Sequence, residues 1–305
     1  MEDYPTTLLE FERRFASEEA CREYLSQLRW PDGFRCPRCQ HTKAWSTSRE
    51  LYHCGGCGVQ TSVTAGTIFQ DTRKPLRLWF RAMWHVTSQK HGVSALGLQR
   101  VLGLRSYRTA WTWMHKLRRA MVRPGRERLT GLVEVDETYY GGERPGKRGR
   151  GAAGKSLVVV MVQIVGPRIG RIRLARVPDA SAKSLEPAVL DAVELGSVIR
   201  TDGWNGYRPW AQQRYVHEVL RRPATDLGDN LLPYVHRVVS LLKRWLLGTH
   251  QGAVGPSHLD YYLDEFTFRF NRRTSRSRGK LFYRLVQQAA MVEPVTGVTI
   301  ARGRR

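Results

Sequence analysis

Long hydrophobic runs are absent from this 305-residue chain: the longest, Leu157 to Val165, is broken by Gln163 and falls far short of the roughly 18 apolar residues that span a bilayer. The sequence therefore carries no membrane-spanning segment and implies no membrane partner. The acidic start, Met1-Glu2-Asp3, has no apolar stretch of signal-peptide length behind it, and the expectation is a cytoplasmic protein. Internal repeats are lacking. Acids are scarce, with 27 Asp and Glu against 50 Lys and Arg and a net charge of +23, so the field of the whole chain attracts polyanions, and nucleic acid is the first partner it selects. What is present is enough to fold: 41% hydrophobic and 10% aromatic residues fill real cores and exclude wholesale disorder.

The basic charge is localised. Residues 1–35 hold eight acids and five bases, whereas Thr72 to Arg126 holds thirteen Lys or Arg and no acid, and Arg269 to Arg284 holds seven and none. An acid-free stretch of helical pattern has few intramolecular partners for its charges, which favours a polyanion surface over a merely solvated face. The Gly/Arg-rich stretch Gly141 to Lys155 reads as a loop, free either to touch phosphate or to serve as a plain connection.

Cysteine is also scarce, five residues in all, and four fall as Cys36-Pro-Arg-Cys39 and Cys54-Gly-Gly-Cys57, with fourteen residues between the pairs. Each CxxC turn offers two thiolates, and two such turns close a tetrahedral zinc site. Disulfides are the competing reading, but a bridge within CxxC staples nothing distant, and thiols stay reduced in the cytosol. Four thiolates leave no open position, so Zn2+ here is structural and a module this small owes its folding to it. Gly55, Gly56 and Gly58 suit the second turn, His41 and His53 flank the site as bystanders, and Cys21 is expected to be a small buried apolar residue.

Lys74 to His91 reads as an amphipathic helix with a proline near its first turn, ending near Gly92. Ser94 to Val101 follows as a short helix stopped at Gly103. Ser106 to Met121 is a longer one, with Tyr107, Ala110, Met114, Leu117 and Met121 forming a stripe expected to be buried and Arg108, Thr112, His115 and Arg119 on other faces. A short helix, a glycine turn and a longer basic helix form the helix-turn-helix pattern, whose second helix enters the major groove of DNA.

Beyond Pro124–Thr130 the pattern changes to strand. Leu132 to Tyr139, Ser156 to Val165 and Arg171 to Val177 read as strands, Ser184 to Leu195 as a helix, and Ser197 to Thr201 as a short strand delivering Asp202 to its end. Tyr234 to Leu247 reads as a helix with Val235, Val238, Val239, Leu242 and Leu246 inward and His236, Ser240 and Lys243 on the adjoining face. This order fits an open mixed α/β sheet. A lone strand aspartate is ordinarily a turn or edge residue, but Asp136 and Asp202 fall on two strands expected to be neighbours in a basic protein. Facing carboxylates repel and call for a cation such as Mg2+. A pair of such ions about 3.5–4 Å apart drives in-line phosphoryl displacement, the chemistry of nucleases and transposases.

Taken together, Phe34-Arg-Cys-Pro-Arg-Cys39, Val135-Asp-Glu-Thr-Tyr-Tyr-Gly-Gly142, Thr201-Asp-Gly-Trp-Asn-Gly-Tyr207, Ser240-Leu-Leu-Lys-Arg-Trp-Leu-Leu-Gly-Thr-His250 and Tyr262-Leu-Asp-Glu-Phe-Thr-Phe-Arg-Phe-Asn-Arg-Arg273 resemble bacterial insertion-sequence transposases of the acid-triad (DDE-type), RNase H-like class, in the subset with a zinc ribbon. The resemblance runs over nearly the whole chain. It implies an N-terminal helical segment (1–33), a zinc ribbon (34–71), a helix-turn-helix-like DNA-binding domain (72–128), an RNase H-like catalytic domain (129–290) and a basic C-terminal tail (291–305). It implies Asp136 and Asp202 as the first and second ligands of catalytic Mg2+ or Mn2+. At the third position, where Glu or Asn is common in the class, stands His236. Imidazole is a poorer partner for Mg2+ and suits softer metals, so His236 could ligate Mn2+, bind through water, carry a proton, or mark an inactive enzyme. Glu218, Asp226, Asp229 and Glu265 are the acids available otherwise, with Glu265 the strongest rival.

Lys243 and Arg244, with Arg108 and Arg119, are the expected DNA contacts. The implied activity is phosphodiester cleavage at the terminal inverted repeats of an element and joining of the 3′-hydroxyl to target DNA, by a homo-oligomer on double-stranded DNA at the nucleoid. A DNA-binding regulator without catalysis is the alternative, and a stand-alone nuclease a third.

Overall fold

The computed structural model describes residues 2–123, 125–141, 155–220 and 231–303. The chain divides into two compact units, Met1–Arg123 together with Ser275–Arg305, and Pro124–Thr274. The expected domain limit at residue 290 thus differs from the division seen, which assigns residues 275–290 to the unit that holds the N-terminus.

In the first unit, α1 (Leu8–Arg14) and α2 (Glu18–Arg29) begin at Thr7 and Ser17, whose hydroxyls accept the N–H of Glu10 and Ala20, as good N-caps do. Three short antiparallel strands follow, β1 (Ala44–Ser46), β2 (Tyr52–Cys54) and β3 (Gln60–Thr61). The helix expected over 74–91 is α3 (Leu76–Ser88), whose first two N–H groups are capped by the Glu18 carboxylate at 2.6 and 3.1 Å. The helix-turn-helix pattern becomes α4 (Ala95–Leu102), capped by Ser94, a turn at Gly103, and α5 (Tyr107–Ala120). Of the expected stripe, Ala110, Met114, Leu117 and Met121 are buried, but Tyr107 is not. Tyr107 is 52% exposed, whereas Trp113 is buried and stacks on Trp79 with ring centroids 3.8 Å apart, and His115 is buried too. The two tryptophans have more apolar area to hide than one tyrosine with a polar tip, and their stacking widens the buried face beyond the expected stripe.

The second unit is built on a mixed five-stranded sheet of order β6-β5-β4-β7-β8, with β4 (Leu132–Tyr140), β5 (Ser156–Val165), β6 (Arg168–Val177), β7 (Val198–Thr201) and β8 (Val216–Val219). β4, β5 and β6 are antiparallel, while β7 runs parallel to β4 and β8 parallel to β7. Period-2 alternation sends Val133, Val135 and Val159 to the core shared with α6 (Ala182–Ala192) and α7 (Arg208–Arg214). It sends Val158, Val160 and Val162 to the core shared with α8 (Pro233–His250) and α9 (Leu259–Phe270). This is the expected RNase H-like mixed α/β arrangement. Back in the first unit, α10 (Arg278–Ala289) and α11 (Gly297–Ala301) complete the chain.

Most of the second basic block is engaged within the protein. Arg269 pairs with Glu265, Arg272 lies over Phe268, Arg273 donates to the carbonyls of Ile169 and Gly170 on β6, and Lys280 and Arg284 pair with Glu2. Two of these partners lie one helical turn away, and those of Arg273, Lys280 and Arg284 come from distant segments. The expected Gly/Arg loop, in its stretch 142–154, and Asp226 and Asp229 lie outside the described residues. No helix among the described residues is long and apolar enough to cross a membrane.

Candidate active site and zinc ribbon

The two cysteine turns are built alike. Gln40 N–H donates to the Cys36 carbonyl and Gly58 N–H to the Cys54 carbonyl, each at 3.0 Å, and both donors have positive φ, 62° and 70°. Glycine at the second position adopts that conformation without strain. Cys36 Sγ lies 3.7 Å from Cys57 Sγ and Cys39 Sγ 3.6 Å from Cys54 Sγ, and all four sulfurs lie within 4.8 Å of one another. These separations are far longer than a disulfide bond. They match the spacing of about 3.8 Å that a tetrahedron with Zn–S bonds of about 2.3 Å requires. The donor set fits structural zinc. His53 stacks on Trp45 at 4.5 Å instead of joining the sulfurs. Cys21 is buried on α2, and burial pushes its thiol up to about 12.

The acid site grows from β4. Glu134 and Asp136, two residues apart on one face of the strand, both point toward α8, where they meet its first turn. The buried Glu134 Oε2 accepts the N–H of Tyr234 at 3.0 Å and of Val235 at 2.9 Å. Burial raises its pKa, against the pull of those two N–H groups. The next residue, His236, brings Nε2 to 3.1 Å from Asp136 Oδ2. On the other side, the parallel register pairs Glu134 with Arg200. Asp202 is the first residue beyond β7, two after that pair. Burial first and the neighbouring Glu137 carboxylate second lift Asp136 to about 6, Asp202 adds to the rise, and the Glu137 N–H and His236 act against it. A carboxylate raised as Asp136 is gains from a divalent cation beside it, and Asp136, Asp202 and an imidazole are ligand types that Mn2+ accepts.

The segment carrying Asp202 is tightly held. Thr201 Oγ1 lies 2.8 Å from His217 Nε2 and accepts the Gly203 N–H, while Asp202 Oδ1 accepts the Trp204 N–H at 2.9 Å. Trp204 Nε1 donates to the Ala180 carbonyl. That carbonyl would lie 2.4 Å from a Cβ at Gly206, so no larger residue fits there. The buried Tyr207 hydroxyl donates to Glu137 Oε2 at 2.9 Å, which ties the Asp202 segment back to β4.

Asp136 and His236 are thus in contact, and Asp202 is coupled to them through the sheet. Among the described residues, however, the four cysteines are the only set of three or more His, Cys, Asp or Glu whose ligand atoms lie within 4.8 Å of one another. Glu265 is fully buried on α9, paired with Arg269 at 2.8 Å, and α9 packs on β6, two strands away from β4. Glu218 pairs with Arg200 at 2.5 Å. Lys243 and Arg244 are exposed on α8, Lys243 on the side of His236. On α5 Arg108 is exposed and Arg119 half-buried. Sequence reasoning missed Glu134, Glu137 and Tyr207. Glu137 and Tyr207 stood inside the quoted motifs, and Glu134 was visible only as a second acid in an apolar strand.

Comparison with known proteins finds a match for both modules. A family model described as the ISXO2-like transposase domain matches residues 128–271, and one described as the transposase zinc-ribbon domain matches residues 16–60. The chain is also 26% identical over 299 residues, 92% of its own length and 99% of the other's, to a Halobacterium salinarum protein described as an uncharacterized protein in transposable element ISH50. With a four-cysteine ribbon in one unit and an acid-bearing mixed sheet in the other, the chain belongs to the DDE-class insertion-sequence transposases that carry a zinc ribbon.

Proposed function

We propose that this chain cleaves phosphodiester bonds at the terminal inverted repeats of its element and joins the freed 3′-hydroxyl to target DNA. The observation that carries the reading is the contact of His236 with Asp136, with Asp202 just beyond the end of the adjoining strand. Asp136, Asp202 and His236 would hold Mg2+ or Mn2+, and the imidazole favours Mn2+. When bound, such an ion supplies Lewis-acid polarisation of the phosphoryl group. In the first displacement the oxygen of water bonds to phosphorus as the bond to the 3′-oxygen breaks, and the proton lost by water balances the one gained by that oxygen. In the second, the 3′-hydroxyl attacks a target phosphodiester and one ester replaces another. Lys243 and Arg244 hold backbone phosphate beside the acids, and α5, through Arg108 and Arg119, contacts the ends. Bringing two ends together calls for more than one copy on the DNA.

The test is cleavage and strand transfer on a short duplex bearing the element's terminal repeat, with Mg2+ and Mn2+ separately. His236→Ala should abolish activity, and His236→Glu should restore it with a shift of preference toward Mg2+. Activity unchanged in both variants removes His236 from the site. The imidazole at the third position supports a second reading, a DNA-binding regulator without cleavage. Tight end binding by wild type, with no metal-dependent cutting, would select it.

A further inference from the structure

A cavity of about 410 Å³ opens in the first unit where the 71–74 turn, the start of α5 and Gly297 meet. Its lining is strongly one-sided in charge: Arg73, Lys74, Arg108 and Lys116 against a single acid, Asp71. The hydroxyls of Ser106 and Thr112 also line it, and Trp79 and Trp113, stacked at 3.8 Å, form an aromatic wall. Lys116 Nζ donates to the Ile68 carbonyl at 3.1 Å, which uses one of the three donors of an ammonium. The first turn of α5 carries no acid, and its N-cap residue, Ser106, makes no side-chain capping bond. By contrast, the first turn of α3 is closed by the Glu18 carboxylate. Four cations, two hydroxyls and an open helix start around one concavity are the donors that a tetrahedral oxyanion takes up.

We propose that this cavity seats a backbone phosphate of DNA, so that α5 is anchored at its first turn by a phosphodiester held between Arg108 and Lys116 on the helix and Arg73 and Lys74 on the facing turn. The inference rests on the reading that α5 lies against DNA. It adds a site that sequence reasoning did not single out: Arg73, Lys74 and Lys116 were counted in the basic block but given no role. Burial holds the Lys116 ammonium below the ordinary lysine range, and an anion beside it would offset that cost. A phosphate contact fixes register on the duplex without reading sequence. The site should therefore act equally on element-end DNA and on unrelated DNA.

Two variants of the full-length protein test this. Arg73→Gln/Lys74→Gln removes two of the cations. Gly297→Leu fills the space without changing charge: a Cβ there would lie 3.5 Å from Thr112 Cγ2, an ordinary contact, and the rest of the side chain would extend into the cavity. Retained zinc content and circular dichroism establish that each variant is folded, and where the leucine variant is not, the double glutamine variant decides. Affinity is measured against salt on an end duplex and an unrelated duplex. Each variant should bind both duplexes several-fold more weakly, with the slope of log K against log salt shallower by about 0.9, the share of a single phosphate. Wild-type affinity and slope in the folded double variant would overturn the cavity site and leave DNA binding by α5 standing. Weakening confined to the end duplex would overturn it too, because that is the signature of base reading. Absence of DNA binding by the wild type would overturn the underlying reading and the inference with it.

Discussion

Replacing Glu134 by alanine should loosen the start of α8 and displace His236 from Asp136. The carboxylate accepts two backbone N–H groups at 2.9 and 3.0 Å from a buried position. Hydrogen bonds to a charged group contribute about 1.5–3 kcal/mol each, and a negative charge at a helix start adds up to about 2 kcal/mol. Both bonds share one oxygen, and the raised pKa of Glu134 shows that its burial costs part of this gain. The net destabilisation by Glu134→Ala is about 3 kcal/mol. Glu134→Gln keeps an acceptor oxygen and sheds the buried charge, so it should cost under about 1.5 kcal/mol. Urea unfolding of the zinc-loaded chain measures both. With m of about 1–3 kcal/mol/M, the alanine variant shifts the midpoint of the second unit by about 1–3 M. Release of zinc, which marks the first unit, should not move. Strand transfer should fall with alanine and return with glutamine. A midpoint change in the alanine variant equivalent to less than about 0.5 kcal/mol would refute the capping argument.

Cys54→Ser removes one of four sulfurs, and metal analysis should find the zinc content falling from about one per chain to near none while the cooperative unfolding of the second unit persists; zinc retained at wild-type level would contradict the ribbon. Tyr207→Phe deletes the hydroxyl bonded to Glu137 at 2.9 Å, and calorimetry should register a destabilisation of about 1.5–3 kcal/mol together with reduced cleavage but unchanged DNA affinity. Gly206→Ala forces a Cβ to 2.4 Å from the Ala180 carbonyl, so the Asp202 segment must shift, and cleavage should fall well below that of Tyr207→Phe while end binding is retained.

The parts of this protein that were legible in its sequence share a local cause. The cysteine spacing, the Ser94 cap with Gly103 beyond, the alternating apolar residues of β4 and the nearly continuous apolar run of β5 each act within a few residues of themselves. What was not legible depends on pairings across long separations. β8 is four residues with two polar side chains and becomes a strand only because β7 offers it an edge. Glu134 looks like a misplaced acid until a helix start one hundred residues later supplies its two donors. The charge block 269–284 reads as open basic surface because the carbonyls of Ile169 and Gly170 and the carboxylate of Glu2, which occupy it, are remote in sequence. The burial of Trp113 was hidden in the same way, since its partner is Trp79 on another helix.

These long-range pairings also explain how the candidate site divides its labour. Asp136 stands on β4 and Asp202 directly follows β7, the parallel neighbour of β4, so the sheet sets where the segment carrying the second acid begins. Hydrogen bonds through Thr201, Trp204 and Tyr207 fix the turn that carries the second acid. His236 is held differently: its helix is set against β4 by one carboxylate gripping two N–H groups, with the imidazole itself exposed to 51% of its side-chain surface. On the proposed reading, two carboxylates and one imidazole would hold the cation, which would offset the burial and repulsion that raise Asp136. His236, with half of its side chain exposed, would be the ligand able to adapt to the size and softness of that cation, and it stands where Glu or Asn is common in the class. Metal preference should therefore follow the identity of residue 236 more closely than any change at Asp136 or Asp202, whose replacement should abolish activity with every metal.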